Sequence, residues 1–235
     1  MAQTDFFSAE SPENYEQKSI CCFVVDVSGS MGGTPINQLN IGLQEFHQEI
    51  LNDSTTSNRL EIAIVEFSSS VETVVPPSLV DSFSMPTLNV KGSTKLVDGV
   101  NAAIDLVESR KKWYKDTGQP YLRPWIILIT DGAPDSGQDI NGLASRIEIS
   151  TKSKNFLFLP IGVEGADMNV LNTLAGYTSD GSGGWKKTSA MKLQGLKFSD
   201  FFKWVSASMS IVAGSQEGDK VTIPSTGDWL DTLEI

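Results

Sequence analysis

Strand-length apolar runs alternate along this chain with segments whose apolar residues recur every three or four positions. Residues 20–25 and 125–129 contain only apolar side chains. A strand with no polar face must be covered on both sides, which is the situation of a parallel sheet sandwiched by helices. Between the runs, Ile36, Leu39, Leu43, Phe46 and Ile50 step by 3, 4, 3 and 4 residues. That is the stripe of an amphipathic helix. Leu96, Val100, Ala103 and Val107 repeat the pattern, as do Ile140, Leu143 and Ile147, and finally Phe198, Phe201, Phe202, Val205, Met209 and Val212. Further strands are predicted over 60–67 and 156–161. The alternation predicts an α/β fold: a Rossmann-like, doubly wound, mostly parallel sheet with helices on both faces. Residues 71–75 follow the second strand after three serines, and read as an antiparallel edge strand ended by Pro76 and Pro77. Thr34 before Pro35 reads as a helix cap, and so does Thr94 before the Leu96 stripe.

The balance of charge narrows the function. Of 235 residues, 18 are basic and 29 acidic, a net charge of −11. A nucleic-acid binder needs a basic stripe to neutralise phosphates, so nucleic acid is not an expected partner, and neither is an anionic membrane surface. No apolar run approaches the roughly 20 residues that span a bilayer, and the first residues lack the basic and apolar regions of a signal peptide. Cys21 and Cys22 are adjacent, point to opposite faces of a strand, and are too few for a disulfide framework or a cysteine zinc site. The expected location is the cytoplasm. His47 stands alone and off its helix stripe, a solvated residue by this reading. Residues 1–17 read as a flexible arm, 18–213 as the domain, and 214–235 as a tail packing on or extending it, with Trp229 as an anchor.

In open α/β sheets, ligands bind beyond the carboxyl ends of the strands. Three loops there carry oxygen ligands. Asp26, Ser28 and Ser30 lie at i, i+2 and i+4 after the first strand, Thr94 follows Gly92 and Ser93, and Asp131 lies between Thr130 and Gly132. Two carboxylates, three hydroxyls and no soft ligand select Mg2+, or Mn2+, with water or a partner's oxygen completing the shell. Asp135 and Asp139 are either further acidic ligands or caps of the next helix.

With Asp26-x-Ser28-x-Ser30, Thr94 and Thr130-Asp131-Gly132 in place, the chain resembles von Willebrand factor A domains, whose metal-ion-dependent adhesion site carries this motif. Late motifs, Ala166-Asp167-Met168 and Phe198-Ser199-x-Phe201-Phe202-x-Trp204, resemble the stand-alone bacterial branch associated with tellurium resistance and stress (TerY-type). The resemblance implies direct metal ligation by Ser28, Ser30 and Thr94, and ligation through water by Asp26 and Asp131. It implies a protein-interaction module rather than an enzyme. Its partner, possessing a Glu or Asp carboxylate for the ion, would come from a signalling setting with kinase or phosphatase components. It also implies a final helix that shifts with the state of the metal site.

The rival class is a Mg2+-dependent phosphohydrolase with an aspartate nucleophile at the first strand end. Its general acid would stand at position 28, where a serine cannot do that work at neutral pH. Residues 181–188 depart from a phosphate loop because Lys186 replaces the required glycine and no apolar strand precedes them. Arg110, Lys111, Lys112, Lys186 and Lys187 read as solvated cations, and Trp204 as core or interface.

Overall fold

A computed structural model describes residues 12–216, 219 and 221–225. Most of the expected arm and the Trp229 anchor lie outside the described residues. The chain runs β1 (Ser19–Asp26), α1 (Thr34–Leu51), α2 (Ser54–Arg59), β2 (Leu60–Phe67), β3 (Val71–Leu79), α3 (Leu96–Thr117), β4 (Trp125–Thr130), α4 (Ile140–Lys152), β5 (Leu157–Gly162), α5 (Met168–Leu174), β6 (Tyr177–Ser179), β7 (Trp185–Lys187), β8 (Met191–Lys192) and α6 (Phe198–Gly214). Six strands form one sheet in the order β3-β2-β1-β4-β5-β8, parallel except for the β2–β3 pair. The expected doubly wound sheet with an antiparallel edge is therefore the fold.

Every residue of β1 is buried. Alternate side chains serve opposite faces. Cys21, Phe23 and Val25 join the core under α1 and α6, while Ile20, Cys22 and Val24 join the core under α3, α4 and α5. On the first face, Phe202 of α6 fits against α1 where Gly42 lacks a side chain; a Cβ there would lie 2.4 Å from Phe202 Cδ2. Phe202 also meets Phe23 and Phe46 edge-on or tilted, at ring separations of 5.4 and 6.0 Å. Trp204 is buried against Phe201 and Trp125, and its indole N–H donates to the Pro224 carbonyl oxygen at 2.8 Å. This ties the described part of the tail to α6. Among the described residues, no helix is long and apolar enough to cross a membrane.

Several local expectations are corrected. The edge strand does not stop at the prolines; β3 continues through Pro76 and Pro77 to Leu79. An edge strand tolerates proline because its outer N–H positions pair with nothing, and the register shifts around Ile62 and Ile64 accommodate the pair. α1 starts at Thr34, with Gly33 rather than Thr34 in the cap position. His47 is not solvated. Its Nε2–H donates to the Val80 carbonyl oxygen at 2.8 Å and its ring lies 5.1 Å from Phe83, so the turn after β3 covers it. The glycine-rich segment at 181–184 is the turn of a small β6–β7 hairpin, in which Asp180 Oδ1 accepts from the backbone N–H groups of Ser182 and Gly184.

Arg110 and Lys111 are buried, not solvated. Arg110 grips Glu61 of β2 through Nε at 2.8 Å and Nη2 at 2.7 Å, and the Tyr114 hydroxyl donates to the same carboxylate at 2.7 Å. Lys111 pairs with Glu108 at 3.0 Å, and for Arg110 the reason is Glu61 itself. A carboxylate on a strand covered on both faces requires a cation, and the last turns of α3 supply it.

Candidate functional site

β1 and β4 are neighbours in parallel register, so their carboxyl ends bring Asp26 and the Thr130-Asp131-Gly132 segment together. Asp26 is fully buried at the end of β1. Its Oδ1 accepts from the Ser28 backbone N–H at 2.8 Å, which shapes the turn, and its Oδ2 accepts from the Thr130 hydroxyl at 2.5 Å. The Ser28 and Ser30 hydroxyl oxygens lie 3.1 Å apart. Ser30 donates across the gap between strands to Asp131 Oδ1 at 2.8 Å. Four of the five residues singled out in the sequence thus form one hydrogen-bonded cluster.

Thr94, the fifth, arrives on a loop sewn to its neighbours by backbone bonds. Lys91 N–H donates to the Val27 carbonyl oxygen, Gly29 N–H to that of Gly92, and Lys95 N–H to that of Ser68. Gly132 shows how the three loops converge. A Cβ built there would lie 3.5 Å from Ser30 Oγ, 3.8 Å from Thr94 Oγ1 and 3.9 Å from Asp26 Oδ2. One oxygen from each of the first two loops and a buried carboxylate therefore face a space that exists because residue 132 has no side chain.

Thr94 does not cap α3, contrary to expectation. Lys95 occupies the cap position without a side-chain bond. The N–H of Val97 is instead satisfied by Gln138 Oε1 at 2.8 Å. Among the described residues, no group hydrogen-bonds the Thr94 hydroxyl. Asp139 does cap α4, accepting from Gly142 N–H at 2.8 Å. Asp135 instead accepts from the Thr94 backbone N–H at 3.2 Å. Sequence reasoning named Thr130 in the motif without giving it a role, and missed Gln138. Thr130 was legible as a hydroxyl one residue from Asp131 on a buried strand; Gln138 carried no signal.

The electrostatics are lopsided. Burial pushes the Asp26 carboxyl above its ordinary value, against hydrogen bonds from Ser28 and Thr130 that pull it down, and the charge of Asp131 pushes it further up. Burial also raises Asp131, opposed by its bond from Ser30. Among the described residues, neither carboxylate has a salt bridge; Lys91, on the Thr94 loop, pairs with Glu66 and Glu72. Asp26 Oδ2 and the Ser30 and Thr94 hydroxyls around one space, with Ser28 and Asp131 hydrogen-bonded beside them, make an all-oxygen donor set with only neutral donors, which suits a hard divalent cation. Among the described residues, no group of three or more His, Cys, Asp or Glu side chains is placed to hold a metal.

The model of the von Willebrand factor type A domain matches residues 21–194. No curated protein matches the sequence. Among solved structures, the pilus adhesin SpaC from Lactobacillus rhamnosus GG is similar at 13% identity and a TM-score of 0.63, over 86% of this chain and 32% of that one. The VWA2 paralog of ArnB from Sulfolobus acidocaldarius is similar at 15% identity and 0.52, over 82% and 45%. Proximal thread matrix protein 1 from the mussel byssus, with a zinc-occupied MIDAS motif, is similar at 17% identity and 0.51, over 84% and 48%. The chain thus spans less than half the length of these proteins, and at such identities the likeness is one of fold.

Proposed function

The chain belongs to the von Willebrand factor type A family, and from that premise we propose that its strand-end oxygens form a metal-ion-dependent adhesion site. Domains of this family act in metal-dependent protein interactions. In this chain Ser28, Ser30 and Thr94 are the direct ligands of Mg2+, with Mn2+ as a substitute, and Asp26 and Asp131 act through water. The observation that carries the reading is the pair of buried, cation-free carboxylates of Asp26 and Asp131, with Asp26 Oδ2 and the Ser30 and Thr94 hydroxyls gathered around the space at Gly132. A neighbour of the same fold with zinc in its site supports a divalent ion.

A divalent ion held mainly by neutral hydroxyls keeps an uncompensated charge that attracts a further anionic ligand. The partner is a protein that brings a Glu or Asp carboxylate. The chain's own residues do the rest: Thr130 fixes the Asp26 carboxylate, Asp131 fixes Ser30, and the stitched loops hold Thr94 in place. The module is an interaction device rather than an enzyme. Its setting is a cytoplasmic stress response of the tellurium-resistance type, beside kinase or phosphatase components. The domain proper is 18–213, with 214–235 as a tail packing on or extending it; of its described residues, Pro224 accepts from the Trp204 indole.

Immobilised protein is to be mixed with extract in Mg2+ and eluted with EDTA, with Asp26→Ala in parallel. Specific partners should elute from the wild type alone. Identical eluates from both would refute the reading. Metal-dependent turnover of phosphate monoesters, lost in Asp26→Asn, would favour the phosphohydrolase.

A further inference from the structure

We infer that Gln138, assisted by Asp135, is the positioning residue for Thr94: it takes over the capping of α3 and so leaves the Thr94 hydroxyl to the metal site. This rests on the adhesion-site reading above. The start of a helix leaves backbone N–H groups without partners, and a threonine just before it ordinarily satisfies them with its own hydroxyl. Here the N–H of Val97 is satisfied from another loop, by Gln138 Oε1. The other end of the same amide, Nε2, donates to the Thr94 carbonyl oxygen at 2.6 Å and to that of Asp135 at 3.2 Å. Asp135 closes the arrangement from the other side. Its backbone N–H donates to the Thr94 carbonyl oxygen at 3.1 Å, and its Oδ2 accepts from the Thr94 N–H at 3.2 Å.

The peptide groups of Thr94 are thus held on both the N–H and the C=O side by residues 135 and 138. These follow Asp131 on the same loop. Thr94 is therefore tied to the loop that carries Asp131, and its peptide groups are oriented by Asp135 and the Gln138 amide. Groups that orient metal ligands from behind typically change affinity by 10–100-fold when removed. The structure separates the two jobs of Gln138. Its oxygen supports helix α3, and its nitrogen supports Thr94.

The test is a Mn2+ titration by calorimetry on the full chain, using wild type, Gln138→Met, Thr94→Val and the double variant, with circular dichroism to check folding. Each single substitution is expected to weaken binding about tenfold or more. The double variant should bind within about twofold of Thr94→Val, because residues acting through one another are not additive. Gln138→Glu keeps an acceptor for Val97 but loses the donor to Thr94, and it replaces Gln138→Met if that variant misfolds. An unchanged affinity in the Gln138 variant overturns the inference. So does an equal further loss in the Thr94→Val background, which is what a purely structural glutamine would give. In either case wild-type binding that is lost in Asp26→Ala leaves the adhesion-site reading standing. A wild type that binds no Mn2+ overturns both.

Discussion

At the amino ends of the strands, the buried Glu61 carboxylate is held by the Arg110 guanidinium and the Tyr114 hydroxyl. At the carboxyl ends, the equally buried Asp26 receives one backbone N–H and one threonine hydroxyl, and Asp131 receives a serine hydroxyl. Both ends bury acid, and at the carboxyl ends Glu66 too has its lysine, Lys91, but among the described residues Asp26 and Asp131 have no cation. A carboxylate matched by a buried guanidinium is finished as structure: removing either partner strands the other in a low-dielectric interior. A carboxylate given only neutral donors keeps a standing demand for positive charge, which water or a cation from outside must meet. Burial alone therefore does not mark a functional acid. Burial without a cation, beside other oxygens facing a common space, does.

The contrast is sharpest where one charge is deleted at each end. Arg110→Met should destabilise the fold by about 3–5 kcal/mol in chemical denaturation, since it leaves Glu61 buried and unpaired, and should leave metal affinity unchanged in whatever fraction folds. A loss below about 1 kcal/mol would mean that Glu61 escapes to water. The packing of α6 forms the intermediate case. Gly42→Ala drives a methyl into Phe202 and should cost about 1–3 kcal/mol by the same measurement. A Gly42→Ala variant as stable as wild type would show that α6 slides freely on α1, as the resemblance to adhesion domains implies for the final helix.

Deleting the charge at the other end should have the opposite sign. Asp26→Asn, in EDTA, should be as stable as wild type or slightly more so, because burial already disfavours the ionised carboxyl there. Its stabilisation by Mg2+ should vanish. The pH dependence follows the same sign. A carboxyl whose folded-state pKa is raised penalises the folded state once ionised, so the metal-free protein gains stability from Asp26 as pH falls through the raised value. Metal binding runs the other way, since protons compete with the ion. The difference between wild type and Asp26→Asn in EDTA should therefore shrink on acidification, and a difference independent of pH would contradict the burial of an ionisable Asp26. Gly132→Ala should be the mildest change. The Cβ meets its neighbours at ordinary contact distances, so the fold should survive with near-normal thermal stability while Mg2+ affinity falls.

The sheet, its antiparallel edge and the meeting of the five motif residues were legible because each rests on local pattern. Continuous apolar runs specify covered strands, and parallel strands ending together bring the loops that follow them together. Features set by distant residues were not legible. Arg110 looks like part of a solvated basic patch until Glu61, 49 positions before it, is seen on a buried strand. His47 looks exposed until the Val80 turn folds over it. Thr94 looks like a cap because local chemistry favours that, and only Gln138, 44 residues further on, removes the need. A hint for Arg110 was present: an acidic residue inside a run such as residues 60–67 demands a partner somewhere.

The central claim is that the oxygens around Gly132 hold a divalent ion, and a Mg2+ titration followed by thermal unfolding tests it most directly. Binding to the folded state alone raises the midpoint in proportion to the logarithm of ligand concentration above the dissociation constant. Wild type should show a saturable upward shift, reversed by EDTA and absent in Ser28→Ala and Asp26→Ala, both of which should remain folded. A wild type whose unfolding is indifferent to Mg2+ and Mn2+, or a shift that persists in Asp26→Ala, would contradict it.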